Sequence, residues 1–324
     1  MLLGPYRTFE RTIRKKSSVN QSSLGMAKFS QREWLIAPGP ASKELAINIA
    51  SNFGADILHI DSKVFPDGES YFRIISDVRN KRVAIVQSTY PPIDRHISQL
   101  LFLAHKLSED GAEVHAIIPY LAYARQHRAF LQGEVVSLGV FAHLLRSVGV
   151  KRVVTVDIHN VEGLGLFSIP AYSVSAIPLL AEYFSKNHTL SEAVAISPDF
   201  GGAVRVEAFA RILKINRIVL EKVRDRTTGE IIFKDVAKQV QNKDVILVDD
   251  IISSGKTMEL AAMKLKEWGA KRIFATCTHP LLVEDALDRI KKAGIEEVIG
   301  TNTIPSPVSK IDVAPILASY LSTL

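Results

Sequence analysis

The 324-residue sequence predicts an α/β fold with two similar domains, each a mostly parallel sheet flanked by helices, and a protruding β-hairpin. Three observations lead to this prediction. From residue 34 onward, short apolar runs alternate with amphipathic stretches, which is typical of strands alternating with helices. The runs are apolar throughout, which indicates a parallel sheet covered on both faces. The second half of the chain then repeats the order of the first.

The first domain is predicted over residues 31–174. Its strands, in order, are the runs WLIAPG, RVAIVQS, EVHAIIPY and KRVVTVDIH. Between them lie the amphipathic stretches SKELAINIASNFG, DRHISQLLFLAHKLSEDG and VVSLGVFAHLLRSVG, which we expect to be helices. Gly54 and Gly111 follow the first two stretches, where glycine commonly ends a helix, and Asp94 is the expected N-cap of the second.

The second domain is predicted over residues 175–324. AVAISPDFGG indicates a strand that leads into a glycine loop, and AVRVEAFARIL indicates the helix behind it. NRIVLEKVRDRTTGEIIF contains two β-rich arms around Thr-Gly and predicts the protruding hairpin. The strand–helix rhythm then resumes with DVILVDD, TMELAAMKLKEWGA, RIFATCTH and DALDRIKKAG. We expect the last helix of the chain to pack back on the first domain.

The two halves align with each other, but only one carries acids at the key position. KRVAIVQSTYPPIDRH matches KDVILVDDIISSGKTM strand for strand and helix for helix. Where the second half has Asp249 and Asp250, the first has Gln87 and Ser88. The sequence therefore places the chemistry of this position in the second domain alone.

The net charge of +6 comes almost entirely from the start of the chain. Residues 1–30 hold six Lys or Arg and one Glu, so this segment contributes +5 and the rest is close to neutral. This distribution argues against a nucleic-acid-binding groove, which needs clustered cations. We expect residues 1–30 to be a basic, disordered tail. An organelle-targeting peptide, or translation from Met26, is the alternative.

Composition also bounds the compartment. No apolar run approaches the length of a membrane helix, so the sequence predicts a soluble protein with no membrane partner. The single cysteine, Cys277, excludes an internal disulfide framework and favours a reducing compartment. We therefore expect a cytoplasmic protein.

The stretch VDDIISSGKT carries the strongest chemical signal. Ligands of doubly wound sheets bind at the carboxyl ends of the strands, where Asp249 and Asp250 lie. The loop behind them opens a helix, whose unpaired N–H groups suit a phosphate. Its residues are Ser253, Ser254, Gly255, Lys256 and Thr257. The acids suit sugar hydroxyls or a hydrated Mg²⁺. An ordinary capping turn is the alternative, and a Walker A loop is excluded by Asp250 standing where glycine is needed.

Two further segments hold candidate ligand contacts in the first domain. The tight turn in FPDGES exposes an aromatic ring that suits stacking on a purine and acids that suit its amino group. The turn residues concerned are Phe65, Asp67, Gly68 and Glu69. In YARQHR, Arg125 and Gln126 follow a strand and suit a nucleotide polyphosphate. A bare turn and a surface polar pair are the alternatives.

A third segment, LEKVRDR, lies in the predicted hairpin. Lys222 and Arg224 alternate along a strand, so both cations point to one face. Two cations on one face suit charge that develops during phosphoryl transfer. A solvated hairpin face is the alternative.

VDDIISSGKT resembles the phosphoribosyl-pyrophosphate binding motif shared by phosphoribosyltransferases and ribose-phosphate pyrophosphokinases. With the three other segments in this order, residues 33–322 resemble the ribose-phosphate pyrophosphokinase family, and its archaeal-type members in particular. The resemblance implies two phosphoribosyltransferase-like domains. It also implies that His159 of VDIHN serves Mg²⁺–ATP, that SPDFGG is the pyrophosphate loop, and that Asp199 holds Mg²⁺. The loop residues are Asp199, Phe200, Gly201 and Gly202.

By this resemblance the reaction joins ATP and ribose 5-phosphate to give 5-phosphoribosyl 1-pyrophosphate and AMP. Lys222 and Arg224 are the implied catalytic residues. In the family the FPDGE loop serves the nucleotide site of a neighbouring subunit, which implies a homo-oligomer, at least a dimer. Adenine binding within one chain stays open as an alternative.

Several residues depart from the family pattern. His127 stands where Asp commonly follows Arg-Gln, and Ser254, Gly255 and Lys256 replace the usual Thr, Ala or Gly, and Gly. AFLQGEVVSLG replaces the Lys/Ser/Arg-rich run linked to control by phosphate and nucleoside diphosphate, so the resemblance does not carry that control over to this chain. The competing hypotheses are a phosphoribosyltransferase, which generally has one domain, and a non-catalytic regulatory relative, which has no need of the cations.

Overall fold

The computed structural model describes residues 33–190, 192–224 and 231–324. These residues form two six-stranded sheets in which every neighbouring pair of strands is parallel. Helices flank both sheets, as expected for apolar strands that need cover on each face. The predicted fold class is confirmed. The segment 1–30, predicted to be a tail, lies outside the described residues.

The first lobe contains the sheet β2-β1-β5-β6-β7-β8. Its strands are β1 Trp34–Pro38, β2 Asp56–Ile57, β3 Ile60–Val64, β4 Ser70–Ile74, β5 Arg82–Val86, β6 Glu113–Ile118, β7 Val150–Val156 and β8 Ala171–Val174. Its helices are α1 Lys43–Phe53, α2 Ile93–Glu109 and α3 Ser137–Ser147.

The second lobe contains the sheet β10-β9-β13-β14-β15-β16. Its strands are β9 Val194–Ser197, β10 Asn216–Val219, β11 Lys222–Arg224, β12 Ile231–Phe233, β13 Asp244–Ile252, β14 Arg272–Pro280, β15 Glu297–Thr301 and β16 Ser309–Ile311. Its helices are α4 Ile177–Asn187, α5 Ala203–Leu213, α6 Ala237–Val240, α7 Lys256–Glu267, α8 Ala286–Lys292 and α9 Ala314–Leu321.

The strand orders show that the two lobes repeat one topology. In each lobe the second strand in the chain forms the sheet edge, and an antiparallel hairpin is inserted before the third sheet strand. The hairpin β3–β4 of the first lobe thus corresponds to β11–β12 of the second. The sequence predicted only the second of these hairpins.

The boundaries of the predicted hairpin need correction. Residues 216–219 form β10, which pairs in parallel with β9, and only β11 and β12 are antiparallel arms. Ile218 is buried in the core of the second lobe, so burial draws this run into the main sheet. The Thr-Gly turn of the prediction lies outside the described residues. The short strands β2, β8, β15 and β16 were not predicted, since such brief runs carry little periodicity.

The start of α2 also differs from the expectation. The helix begins at Ile93 with Pro92 at its N-cap, so Asp94 lies in the first turn. There its carboxylate accepts a hydrogen bond of 2.6 Å from the Tyr123 hydroxyl, which takes the place of a capping role. Gly54 has φ +79° and closes α1 as expected, because this left-handed conformation suits glycine.

The helix α9 lies beside α1, on the first lobe. Ala314 and Leu317 belong to the same buried cluster as Ile49. Asn48 in α1 also donates a 2.9 Å hydrogen bond to Asp312, which precedes α9. The chain end therefore contributes apolar surface to the core of the first lobe.

A polar seam joins the carboxyl end of β7 to β14 in the other lobe. The buried Asp157 carboxylate accepts hydrogen bonds of 2.7 Å from the Thr278 hydroxyl and 2.9 Å from the Ala176 N–H. Asp157 has φ +34°, an uncommon conformation for a residue with a Cβ. The seam fixes the backbone from which His159 extends.

His279 forms the second part of the seam. Its Nε2 donates a 3.0 Å hydrogen bond to the Val156 carbonyl, and its Nδ1 lies 2.9 Å from the Thr303 hydroxyl. Burial lowers the pKa of His279 from 6.5 to about 4, so the imidazole is neutral in the folded protein at pH 7.

This lowered pKa predicts a loss of stability as the pH falls from 6.5 towards 4. In that window the unfolded chain binds a proton at His279 that the folded protein does not, which favours unfolding. We expect His279 to account for about 2 kcal/mol of the stability lost between pH 7 and pH 5. Urea unfolding at both values should show a smaller loss for His279→Asn than for the wild type. Equal losses would contradict the assignment.

Candidate active site

A cavity of about 680 Å³ lies at the carboxyl ends of the second-lobe strands and extends to the first lobe. This position is where doubly wound sheets bind ligands. The first lobe contributes Arg125 and His159. The second lobe contributes Asp199, Phe200, Gly201, Arg205, Leu220, the segment 249–257 and Met258. Most of the residues that the sequence predicted for the phosphate, sugar and pyrophosphate contacts therefore surround one space.

The loop behind the two acids has the form of an anion cradle. Gly255 has φ +75° and directly precedes α7, so the first N–H groups of that helix face the cavity. A Cβ at Gly255 would lie 3.0 Å from Ile290 and 3.1 Å from the Ala286 carbonyl, so a side chain there would crowd both and would strain the left-handed backbone. Arg289 supports the loop from outside by a 3.2 Å hydrogen bond to the Ser254 carbonyl.

The glycine loop after β9 forms the neighbouring wall. The Ser197 hydroxyl donates a 2.7 Å hydrogen bond to the Asp199 carbonyl and shapes the turn. A Cβ at Gly202 would approach that hydroxyl to 2.1 Å, so a larger residue there would displace it from the Asp199 carbonyl. Residues 200–202 form a short 3-10 turn that continues into α5, with Phe200 exposed. Beside the side chains of Asp199 and Phe200, this wall presents glycine backbone, which suits a pyrophosphate.

The two adjacent acids are held by different partners. One oxygen of the Asp250 carboxylate accepts a 2.7 Å hydrogen bond from Arg205 Nη2, and the other accepts a 2.8 Å hydrogen bond from His159 Nδ1. Asp249 accepts a 2.8 Å hydrogen bond from the Asp250 N–H. The side chain of Asp250 is 3% exposed and that of Asp249 is 14% exposed. Asp249 is thus the more accessible acid of the pair.

These partners explain how the acids coexist. Burial by itself would raise the pKa of Asp250, but the His159 hydrogen bond and the Arg205 charge outweigh it and hold that pKa well below its usual range. Burial, and then the negative charge of Asp250, raise the pKa of Asp249 well above its usual range. The fixed charge of the pair is therefore concentrated on Asp250, and Asp249 holds its proton more tightly.

The same geometry fixes the free nitrogen of His159. Because Nδ1 is engaged by the Asp250 carboxylate, Nε2 is the ring nitrogen left to face a ligand. Within the described residues no cluster of three or more His, Cys, Asp or Glu side chains is suited to hold a metal. His159 and Asp199 both line the cavity, where either could contact an ion whose other ligands are phosphate oxygens and water, which is how Mg²⁺ is commonly bound.

The turn of FPDGES forms the tip of the β3–β4 hairpin. The Phe65 N–H donates to the Glu69 carbonyl at 2.8 Å, and Gly68 has φ +96°. The Phe65 ring lies 6.1 Å from that of Tyr71 and remains 38% exposed. Phe65, Asp67, Gly68 and Glu69 do not line the cavity described above. Gln126 does not line the cavity either, and its side chain is exposed beside Arg125. The same is true of Gly202, the buried last residue of the glycine loop, which does not line the cavity.

Lys222 and Arg224 lie on β11, opposite Phe233 and Ile231 of β12. Residues 225–230, which follow β11, lie outside the described part of the chain. The predicted roles of these two cations stay predictions.

Arg205 is the cavity residue that sequence reasoning missed. It lies three residues after Gly202, in the first turn of α5, and its side chain is 12% exposed. Side chains of a first helical turn point back towards the helix start, so this arginine reaches the acids across the glycine loop. A cation in the first turn behind a glycine loop is the sequence signal that could have identified it.

The corresponding position of the first lobe is filled by the protein itself. The Gln87 carboxamide accepts a 3.0 Å hydrogen bond from the Ala41 N–H and donates to the His96 carbonyl at 3.2 Å. The Ser88 hydroxyl donates 2.6 Å to the Thr303 carbonyl of the other lobe. Both side chains are fully buried, so this end of the sheet serves the contact between the lobes.

Comparison with known proteins connects this site to a family. Residues 34–149 match the model of the N-terminal domain of ribose phosphate pyrophosphokinase, and residues 193–324 match that of the phosphoribosyl synthetase-associated domain. Ribose-phosphate pyrophosphokinase of Methanothermobacter thermautotrophicus is 40% identical over 87% of this chain and 97% of its own. That of Bacillus subtilis is 35% identical, over 87% and 90%.

The fold agrees with a solved structure of the same kind. The crystal structure of phosphoribosylpyrophosphate synthetase from Mycobacterium smegmatis matches with a TM-score of 0.81 and 29% identity. The match covers 89% of this chain and 97% of that one, so both lobes and their arrangement are shared. No helix in the described part of this chain combines the length and apolarity needed to cross a membrane. On the two family models, the full-length relatives and the shared fold, the chain belongs to the ribose-phosphate pyrophosphokinase family.

Proposed function

We propose that this protein transfers the β,γ-pyrophosphoryl group of Mg-ATP to the anomeric hydroxyl of ribose 5-phosphate, giving 5-phosphoribosyl 1-pyrophosphate and AMP. The anomeric oxygen attacks the β-phosphorus in line, and the bond to the α-phosphate oxygen breaks. The observation that carries the proposal is the convergence of an anion cradle, a glycine loop, two acids and the first-lobe residues Arg125 and His159 on one cavity. We also propose a role in nucleotide biosynthesis and a cytoplasmic location.

The second lobe holds the sugar phosphate. The 5-phosphate binds the N–H groups and hydroxyls of residues 253–257, and Lys256 adds a positive charge. Asp249, the more accessible acid, accepts hydrogen bonds from the ribose hydroxyls. Asp250 can share them, since each of its oxygens has a second lone pair. Fixing the sugar in this way supplies part of the barrier reduction as orientation.

The first lobe holds the nucleotide. Arg125 and His159 contact the triphosphate, and the glycine loop with Asp199 holds the pyrophosphoryl group during its transfer to the sugar, while AMP leaves. Gln126 beside Arg125 extends this contact. His159 and Asp199 would help to hold a magnesium ion, which would offset the negative charge of ATP. Lys222 and Arg224 of β11 then stabilise charge on the group in transfer.

The test is release of AMP from ATP and ribose 5-phosphate, with Mg²⁺ and no purine or pyrimidine base. A pyrophosphokinase forms AMP and 5-phosphoribosyl 1-pyrophosphate in equal amounts under these conditions. A phosphoribosyltransferase forms neither without a base, and a non-catalytic relative leaves ATP intact. Either of those results would overturn the proposal.

We also propose that the protein is a homo-oligomer, at least a dimer, in which the β3–β4 tip completes the nucleotide site of a neighbouring subunit. Phe65 and the acids beside it are exposed but lie outside the cavity of their own chain. Exposed apolar side chains at Phe130, Leu131 and Val135 further favour a buried contact between subunits.

Mixed subunits test this arrangement. Phe65→Ala and Lys222→Ala chains are each expected to be nearly inactive alone, since each spoils one part of every site. When co-expressed, half of the dimers pair the two variants, and one of their two sites is intact. About a quarter of the wild-type activity should return. Size-exclusion mass gives the oligomeric state of the same sample. No recovery in a proven mixed oligomer would indicate that each tip serves its own chain.

A further inference from the structure

We infer that Arg205 is a positioning residue for His159, acting through Asp250. This inference deepens the proposed function and rests on it, because His159 is there assigned to the nucleotide. It gives a role in the first-lobe nucleotide contact to an arginine of the second lobe, which the family motifs of the sequence did not include.

The contacts form a chain of three side chains from three segments. Arg205 extends from the first turn of α5, Asp250 lies in β13, and His159 follows β7 of the other lobe. The two links measure 2.7 and 2.8 Å and end on different oxygens of one carboxylate. The carboxylate therefore cannot turn towards one partner without weakening the bond to the other.

The burial of the three side chains shows which of them is held in place and which is oriented by the others. Asp250 is 3% exposed and Arg205 12% exposed, whereas His159 is 36% exposed. Among the described residues, the bond to Asp250 is the only hydrogen bond of the His159 side chain. The buried pair is thus the fixed end, and the ring that faces the cavity takes its orientation from it. Where a histidine ligates a metal, disturbing the carboxylate that orients it commonly costs tenfold or more in metal affinity or activity.

A role confined to the stability of the second lobe does not explain the arrangement as well. For such a role, Asp250 would need only its arginine, and the Nε of Arg205 would be paired as well. Instead that Nε is buried and has no acceptor within the described residues. The position of the guanidinium therefore favours its contact with the Asp250 carboxylate over the pairing of all its own N–H groups.

A double-mutant cycle on ATP binding tests the inference. Arg205→Lys keeps the charge but loses the planar fork, and His159→Ala removes the far end of the chain. Calorimetry gives the affinity for ATP with Mg²⁺ in the wild type, both single variants and the double variant. We expect Arg205→Lys to weaken ATP binding about tenfold in the wild-type background and less than twofold in the His159→Ala background. Arg211→Lys, at an exposed position of the same helix, is the matched control and should change neither.

Additive losses, or no loss from Arg205→Lys in the wild-type background, would overturn the inference while leaving the proposed function intact. A wild-type protein that binds no ATP would remove both. If Arg205→Lys fails to fold, Asp250→Asn replaces it in the cycle, since it keeps the shape of the carboxylate and weakens both links. The same nonadditivity with His159→Ala is then expected, and additivity again counts against the inference.

Discussion

Lys222→Ala is expected to lower kcat for AMP formation by at least about 100-fold, with the KM values for ATP and ribose 5-phosphate changed by less than about threefold. The reason is that a cation facing the transferred group meets charge that grows mainly in the transition state. Initial rates over both substrates, with folding checked by circular dichroism, give kcat and KM separately.

Lys238→Ala is the matched control for that experiment. Lys238 is an exposed lysine of α6 in the same lobe, and its removal should leave kcat unchanged. Near-normal turnover of Lys222→Ala would show that the hairpin cation has no catalytic role. A rise in KM with normal kcat would instead make Lys222 a ground-state binding residue.

Asp157→Ala is expected to lower the free energy of unfolding by about 3 kcal/mol. The substitution leaves the Thr278 hydroxyl and the Ala176 N–H without their acceptor in a buried seam. It also places alanine at φ +34°, a conformation that asparagine and aspartate tolerate better. Urea unfolding at pH 7 measures the change.

Two control variants show whether the loss of stability in Asp157→Ala comes from the lost hydrogen bonds of the seam. Asp157→Asn keeps an acceptor oxygen and the backbone preference, so we expect it to lose no more than about 1 kcal/mol. Asp77→Ala, an exposed acid whose carboxylate accepts the Arg79 N–H, should change stability by less than about 0.5 kcal/mol. If Asp157→Ala were as stable as Asp77→Ala, the hydrogen bonds of the seam would contribute little to the free energy of unfolding.

The candidate site was predictable where chemistry is local in the chain. Asp249, Asp250 and the loop to Thr257 are consecutive, and a strand end followed by a helix start already fixes their common position. The same holds for the glycine loop at residues 199–202. Their placement around one cavity follows from β9 and β13 being neighbours in the sheet.

Contacts between distant segments were less accessible to sequence reasoning. Asp250 was expected to face the ligand with Asp249, yet in the structure its two oxygens accept hydrogen bonds from Arg205 and His159. No sequence pattern predicts these hydrogen bonds, because Arg205 and His159 lie 45 and 91 residues from Asp250 in the chain. The β3–β4 hairpin was missed for a related reason: its strands are half exposed and carry no continuous apolar run.

The sequence by itself determined the α/β class, the internal repeat, the family resemblance and the local phosphate-binding loops. These depend on periodicity, on glycine and on residues adjacent in the chain, which act over a few ångströms of backbone. Only the tertiary structure decided which acid is buried, which nitrogen of His159 is free, and that the hairpin tip lies outside the cavity of its own chain. Those properties depend on burial and on hydrogen bonds across the two lobes, and they arise only when the chain is folded.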